Sequence, residues 1–156
     1  MRIYIASDHV GLTHKAEIVR RLKESGHEVV DCGAYEYKED DDYPDFMSKV
    51  AREVSQNPEH LRGVVLGGGG QGEAMVCNRF RKVRAAVYYG AKKTINEEDD
   101  VIKLAREHNN ANVLEIGARF ITVEEALDAV NRFLDTPFTE EPRHVRRIAK
   151  IDRLHE

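Results

Sequence analysis

The sequence of 156 residues is poor in the residue types that mark several specialised classes of protein. It has no tryptophan, and its two cysteines, Cys32 and Cys77, stand alone without a CxxC pair or a Cys/His ligand spacing. We therefore expect neither a disulfide framework nor a zinc or other metal site. No apolar run approaches the roughly 20 residues that cross a membrane as a helix, so no membrane partner is expected.

An excess of charge of one sign is also lacking. The chain has 24 Lys and Arg against 28 Asp and Glu, a net charge of -4, which argues against a general surface for nucleic acid. The first residues, MRIYIASDH, alternate as a strand does and lack the apolar centre of a signal peptide. We expect a soluble, cytoplasmic protein that folds as a single domain over residues 1–156.

Strand-like and helix-like segments alternate five times along the chain. The predicted strands are 2–7, 27–31, 63–66, 83–88 and 112–116. The predicted helices are 12–25, 45–56, 73–80, 90–108, 122–134 and, in the tail, 143–154. This order predicts an α/β fold with a three-layer, doubly wound, Rossmann-like sheet of five parallel strands, helices on both faces and a C-terminal helix. Ligands of such sheets bind at the carboxyl ends of the strands, near the switch in strand order.

The stretch RGVVLGGGGQGEAMVCNRF, residues 62–80, runs from a strand through a glycine-rich turn into a helix. Five of the six residues from 67 to 72 are glycine, which lets a ligand approach bare backbone N–H groups at the start of a helix. This pattern predicts a cradle for an anion. The spacing matches neither a nucleotide P-loop, since no lysine follows, nor a GxGxxG dinucleotide turn. A flexible surface turn is the alternative interpretation.

Chemically useful side chains are predicted around this loop. Glu73 lies in the first turn of the helix, where it either complements the helix dipole or acts as a general base. Asp8 and His9 follow the first strand and Arg119 follows the fifth, so the topology brings all three to the edge that carries the glycine loop. Asp8 and His9 can contact a sugar there; an N-capping aspartate beside an incidental histidine is the alternative.

Two further candidates lie towards the end of the chain. His108 begins the run HNNAN before the fifth strand, where it is either a general acid or part of a plain helix-to-strand turn. Arg143 and Arg147 are one turn apart and share a helix face, a spacing that suits a phosphate. A solvated basic helix is the alternative, and the patch is too short and too poor in aromatic residues to favour nucleic acid.

Together these segments resemble the ribose-5-phosphate isomerase B family, which includes the sugar-phosphate isomerases of galactose 6-phosphate metabolism. The resembling segments span nearly the whole chain in order: IASDHVGLTHK, DYPDF, GVVLGGGGQGEAMVCNR, VRAAV, HNNANVLEIGAR, FLDTPF and RHVRRIAKI. The resemblance implies an aldose–ketose isomerase for a small sugar phosphate, working without metal or organic cofactor. It also implies a homodimer with shared active sites, the tail 137–156 reaching the partner, and leaves a tetramer open.

Position by position, the resemblance implies Glu73 as the base and His108 as the residue that opens the sugar ring. The loop that supplies backbone N–H groups to the enediolate oxygen would be Gly68, Gly69, Gly70, Gln71 and Gly72. The other implied substrate contacts are Asp8, His9, Asn109, Arg119, Arg143 and Arg147.

The sequence departs from the family pattern in several places. One branch of the family has a cysteine base at the position of Gly67; the other has a glutamate after the loop, which Glu73 matches. Gly69 replaces a residue that is often Ser or Thr, and the tail reads EPRH where GGRH is usual. The segment 91–100 is longer than the family segment and precedes His108. These departures bear on the substrate more than on the chemistry.

The expected reaction is the interconversion of ribose 5-phosphate and ribulose 5-phosphate through a cis-enediolate. Galactose 6-phosphate, allose 6-phosphate and a tetrose phosphate are alternative substrates. A non-catalytic sugar-phosphate-binding protein would use the same loop and arginines without needing Glu73 or His108. A nucleotide-binding module is a further alternative, although no aromatic or acidic partner for a nucleoside is evident near the loop.

Overall fold

A computed structural model of the chain describes residues 1–90 and 100–155. The strands are β1 (Arg2–Ser7), β2 (Glu28–Asp31), β3 (Arg62–Gly67), β4 (Ala85–Tyr88) and β5 (Val113–Gly117). The helices are α1 (Leu12–Glu24), α2 (Pro44–Gln56), α3 (Gln71–Cys77), α4 (Val101–Asn109), α5 (Val123–Asp135) and α6 (Pro142–Asp152), followed by a 3-10 turn at Arg153–His155.

The five strands form one parallel sheet in the order β2-β1-β3-β5-β4, which confirms the predicted fold class. The chain moves from β1 outwards to β2 and later returns to the other side of β1 as β3. The strand order therefore switches between β1 and β3. At such a switch the connections leave in opposite directions, and a crevice opens at the carboxyl ends of the strands.

Helices cover both faces of the sheet, and each face has its own apolar core. Helices α1, α4 and α5 pack on one face around Ile18, Ile102 and Phe133, while α2 and α3 pack on the other around Met47 and Cys77. All five of these side chains are at most 1% exposed. The central strands are consequently buried on both sides, as expected for a parallel sheet covered by crossover helices.

Several element boundaries differ from those predicted. Helix α3 spans Gln71–Cys77 rather than 73–80, because Gly70 at φ 84° turns the chain directly into the helix. Helix α4 begins at Val101, with Asp100 as its N-cap, and the predicted segment at 91–99 lies outside the described residues. Helix α5 begins with a capping box, in which Thr122 and Glu125 each satisfy a backbone N–H of the other.

The tail helix α6 contacts α4 and also Arg84, whose guanidinium lies 3.7 Å from the carboxylate of Asp152, and His144 is the one residue of α6 that is buried. Val145, Ile151 and Leu154 of the tail are 46%, 48% and 83% exposed. Among the described helices, none is both long and apolar enough to cross a membrane.

Candidate active site

The carboxyl ends of β1, β3 and β5 bring together the side chains predicted to meet there. The backbone of Asp8 donates to the carbonyl of Leu66 (3.0 Å), which joins the end of β1 to the end of β3. The carboxylate of Asp8 accepts from the N–H groups of Val10 (2.8 Å) and Gly11 (3.0 Å) through one oxygen and from Gly68 (3.3 Å) through the other. Asp8 thus stabilises both the turn before α1 and the start of the glycine loop. Its carboxylate is largely occupied by these backbone donors.

Glu73 points back from α3 towards the end of β3. A Cβ atom built on Gly67 would lie 1.7 Å from Oε1 and 2.2 Å from Cδ of Glu73, so the carboxyl group occupies the space that a side chain at position 67 would need. Glu73 is only 5% exposed. The position of Glu73 therefore requires a glycine at 67.

The surroundings of Glu73 favour a carboxyl group that binds and releases a proton. Burial raises the pKa of Glu73, and the nearby carboxylate of Asp8 raises it further. The backbone N–H groups of Glu73 and Gly70 and the guanidinium of Arg119 oppose this rise without cancelling it. A carboxyl group whose pKa is moved towards neutrality is suited to general base catalysis.

The glycine loop is enclosed on two sides and open at its tip. The guanidinium of Arg119 covers Gly68, since a Cβ added to this glycine would lie 3.0 Å from Cζ of Arg119. The ring of Tyr43 covers Gly72 in the same way, with Oη 2.5 Å from the position of a Cβ. A Cβ on Gly69 would meet no described atom within 4 Å, so the tip of the loop faces open space. The side-chain amide of Gln71 donates to Tyr89 Oη at 2.7 Å.

A second group of predicted residues lies on α4 and α6. The imidazole rings of His108 and His144 stack with their centroids 4.3 Å apart and their planes 12° from parallel. Burial and the neighbouring His108 lower the pKa of His144. Arg143 and Arg147 are exposed on α6, and Nε of Arg143 donates to Glu141 at 2.8 Å. His108, Arg143 and Arg147 thus share one region of the chain, and the exposed Asn109 is next to His108 on α4.

The residues around Glu73 and those around His108 lie at opposite ends of the strands. Glu73, Asp8 and Arg119 follow the carboxyl ends of strands, whereas His108 and Asn109 end the helix that leads into the amino end of β5. A strand of five residues is roughly 16 Å long, so a single small sugar cannot contact both groups within one chain. Within the described chain, the structure brings Glu73 together with Asp8 and Arg119 and does not bring it together with His108.

Two acidic residues near the loop were not among the predicted site residues. Asp41, in the loop between β2 and α2, contacts Nδ1 of His9 at 2.7 Å. Glu115, on β5, is fully buried beneath the loop; a Cβ on Gly70 would lie 2.1 Å from its Oε2. The sequence could have indicated Glu115, because a charged residue interrupts the apolar run of a central strand. Nothing in the sequence distinguishes Asp41, since it is one of five acidic residues between 36 and 42.

Neither carboxyl oxygen of Glu115 has a hydrogen-bond partner among residues 1–90 and 100–155. Burial raises the pKa of Glu115 well above its ordinary value, and repulsion from Glu73 adds to the rise. The folded protein therefore holds the proton of Glu115 to higher pH than the unfolded chain does. Between the pKa of the unfolded chain and that of the folded state, folding takes up a proton at Glu115, so its contribution to stability falls as the pH rises through this range.

Replacing Glu115 with Met, an unbranched apolar side chain of similar length, should raise the free energy of unfolding at pH 7.5 by about 1–3 kcal/mol. The gain should shrink as the pH is lowered towards 4.5, because both states of the parent then carry the protonated acid. Urea denaturation of both proteins from pH 5 to 8 measures this. Glu124→Gln, an exposed change on α5, serves as the control, and a gain independent of pH would contradict the assignment.

No three His, Cys, Asp or Glu side chains are grouped as metal ligands would be in the parts of the chain that the structure describes. The chemistry available at the carboxyl edge is that of a buried carboxyl group, a guanidinium and backbone N–H groups. Such a set can move a proton to and from carbon and stabilise a developing oxyanion.

Comparisons with known proteins agree with this chemistry. The sequence model described as ribose/galactose isomerase matches residues 3–151. The chain is 42% identical over 159 aligned residues to ribose-5-phosphate isomerase B of Mycolicibacterium paratuberculosis, covering 100% of this chain and 94% of that protein.

Solved structures are equally similar. Ribose-5-phosphate isomerase B from Mycoplasma genitalium, solved with bound ribulose-5-phosphate, is 40% identical with a TM-score of 0.90 and covers 99% of this chain and 95% of its own. The enzyme from Clostridium thermocellum is 37% identical with a TM-score of 0.86, covering 99% and 97%. With a family match over nearly its full length and relatives this similar in sequence and fold, the chain belongs to the ribose/galactose isomerase family.

Proposed function

We propose that this protein is an aldose–ketose isomerase that interconverts ribose 5-phosphate and ribulose 5-phosphate. The observation that carries the proposal is the buried carboxyl of Glu73, held against Gly67 beside a glycine loop whose tip is open. The similar protein from Mycoplasma genitalium was solved with bound ribulose-5-phosphate, the expected product. A carboxyl group next to a cluster of backbone N–H groups matches the needs of proton transfer beside a carbonyl.

Glu73 acts as the base in this proposal. It removes the proton from carbon 2 of the open-chain aldose and returns it to carbon 1, through a cis-enediolate. The N–H groups of Gly69, Gln71 and Gly72 stabilise the enediolate oxygen, while the N–H of Gly68 is directed to Asp8 and that of Gly70 to Glu73. One preorganised donor of this kind lowers the activation free energy by roughly 3–4 kcal/mol. Asp8, His9 and Arg119 line the same edge and contact the sugar.

The remaining parts of the site come from a second copy of the chain in this proposal. His108 opens the furanose ring, Asn109 contacts the substrate beside it, and Arg143 and Arg147 hold the phosphate. Within one chain these residues lie at the opposite edge of the sheet from Glu73, so only another subunit can supply them to the same sugar. The exposed tail residues Val145, Ile151 and Leu154 suit an interface between copies.

The unit that carries this function is a homodimer of single-domain subunits, each with its tail, residues 137–156, against the partner. Binding energy from the phosphate then positions the reacting end of the sugar, because the arginines and the base are fixed on two rigid bodies. No metal or organic cofactor enters any step.

A panel of aldose phosphates from four to six carbons tests the proposed function. Ribose 5-phosphate should give ketose with a kcat/KM at least tenfold above those of erythrose 4-, allose 6- and galactose 6-phosphate, since the loop, the base and the arginines must all engage one substrate. In deuterated water, the product should carry deuterium from exchange at the base. A higher kcat/KM for another sugar phosphate in the panel would identify that sugar as the substrate. Ligand binding without isomerisation or exchange would identify a sugar-phosphate sensor instead.

A further inference from the structure

His9 is held by a carboxylate from a distant part of the sequence. Nδ1 of His9 lies 2.7 Å from Oδ1 of Asp41, 32 residues along the chain. The side chain of Asp41 is only 5% exposed, and that of His9 is 19% exposed. The second oxygen of Asp41 is buried and has no hydrogen-bond partner in the described part of the chain. The carboxylate of Asp41 is therefore directed to a single partner, the imidazole of His9.

Hydrogen bonds and an aromatic contact hold the loop that carries Asp41 in place. At its start, the N–H of Ala34 donates to the carbonyl of Ser7 at 2.6 Å, and buried Lys15 donates to the carbonyl of Ala34 at 2.6 Å. Tyr37, in the same loop, packs edge-on against the imidazole of His9, with centroids 5.5 Å apart and planes at 87°. Contacts from Asp41 and Tyr37 thus set the orientation of the His9 ring.

Three charged groups act on His9 from the elements around it. The hydrogen bond from Asp41 raises the pKa of His9 most, and the charges of Asp41 and Asp8 raise it further. Partial burial and the charge of Arg119, which follows β5, act in the opposite direction, and the net result is a raised pKa. The imidazolium form consequently persists to higher pH than in a free histidine.

We propose that Asp41 is a positioning residue for the isomerase, which orients His9 and keeps it as the imidazolium so that its Nε2–H donates to an oxygen of the bound sugar phosphate. The proposal rests on the proposed function, because the acceptor is the substrate. With Nδ1–H donated to Asp41, Nε2 faces away from Asp41 and carries a hydrogen only while the ring is the imidazolium. The neutral ring would present an unprotonated Nε2, which can only accept, whereas the imidazolium donates through Nε2 and favours the anionic substrate.

Replacing Asp41 with Asn removes the charge and retains the shape. The KM for ribose 5-phosphate should rise about tenfold, because a hydrogen bond from a charged donor is weakened, while kcat should change much less. The pH above which KM begins to rise should be lower in Asp41→Asn than in the parent. NMR titration of the imidazole signals, with His9 assigned through His9→Gln, should show the pKa of His9 falling in Asp41→Asn.

Asp40→Asn, an exposed acidic position next in the same loop, is the matched control and should alter neither KM nor the His9 titration. A double-mutant cycle separates positioning from loop stability: on a His9→Gln background, Asp41→Asn should have no further effect on KM. An unchanged His9 titration, or an equal rise in KM with and without His9, would overturn the proposal. If the parent protein isomerises no sugar phosphate, the proposed function is wrong. The titration still shows whether Asp41 sets the pKa of His9.

Discussion

Glu73→Gln should lower kcat for ribose 5-phosphate by about 10²–10⁴-fold, the usual contribution of a positioned general base. Glutamine fills the same space against Gly67 but cannot take up the proton from carbon 2. The loop, Arg119 and the arginines that we propose hold the phosphate are untouched, so the affinity for a phosphorylated sugar-acid inhibitor should change only slightly. Steady-state kinetics together with isothermal titration of the inhibitor distinguish these two effects.

The pH dependence of the parent enzyme provides a second measure of the same residue. Because burial and Asp8 raise the pKa of Glu73, the acidic limb of kcat/KM should lie above the ordinary range of a glutamate. Activity falls as the pH drops through that pKa, since the base must be ionised to accept a proton. Glu124→Gln, on the exposed side of α5, is the control for both measurements. A Glu73→Gln enzyme with more than a tenth of the parent's turnover would mean that another group is the base.

Mixing subunits tests whether the active site is shared between two chains, as we propose. Glu73→Gln and His108→Asn should each be inactive alone, but a dimer of one subunit of each kind regains one complete site. That site combines Glu73 of the second subunit with His108 of the first. Co-expression with two affinity tags isolates the mixed dimer, which should have roughly half of the parent's activity. An inactive mixed dimer would place Glu73 and His108 of one chain in the same site.

Gly67→Ala should lower kcat by about a hundredfold, the second large effect we expect. The backbone at Gly67 does not have a positive φ, so alanine suits the chain itself. The added Cβ would lie 1.7 Å from Oε1 and 2.7 Å from Cγ of Glu73, and the base must move to make room for it. Kinetics on the purified variant, with circular dichroism to verify the fold, measure the loss.

A thermodynamic cycle identifies the cause of that loss. Overpacking of this kind costs about 1–3 kcal/mol of stability, and Gly67→Ala should show this cost only while Glu73 is present. On a Glu73→Ala background, the space against position 67 is empty and the extra methyl group should be tolerated or stabilising. Equal destabilisation on both backgrounds would show that the backbone, rather than the carboxyl of Glu73, rejects the side chain.

The convergence of Asp8, the glycine loop and Arg119 could be predicted from the order of strands and helices alone. In a parallel sheet, the residues that follow the strands meet at one edge whatever the details of packing. The same rule predicts that His108, which precedes a strand, lies at the other edge. What the resemblance implied about a shared site and what the topology dictates therefore agree, although the subunit contact itself remains a proposal.

Other features depend on packing that the sequence does not encode locally. The contact between His9 and Asp41 depends on the path of an irregular loop, and neighbouring acidic residues have equivalent propensities. The direction of Glu73 depends on which rotamer fits beside Gly67. His108 on α4 stacks on His144 on α6, although β5 and α5 separate these two helices in the chain. The periodicity of α6 predicts its basic face but does not predict that the imidazole of His144 is buried.

The mutual exclusion of a side chain at 67 and a carboxyl from 73 constrains how the two branches of the family can be related by descent. With Glu73 as the base that we propose, a cysteine arriving first at 67 would displace that glutamate, and loss of the glutamate first would remove the base. Each single replacement would then pass through an ancestor of low activity, so exchange of one base for the other would need both changes together or a duplicated gene in which the intermediate is harmless.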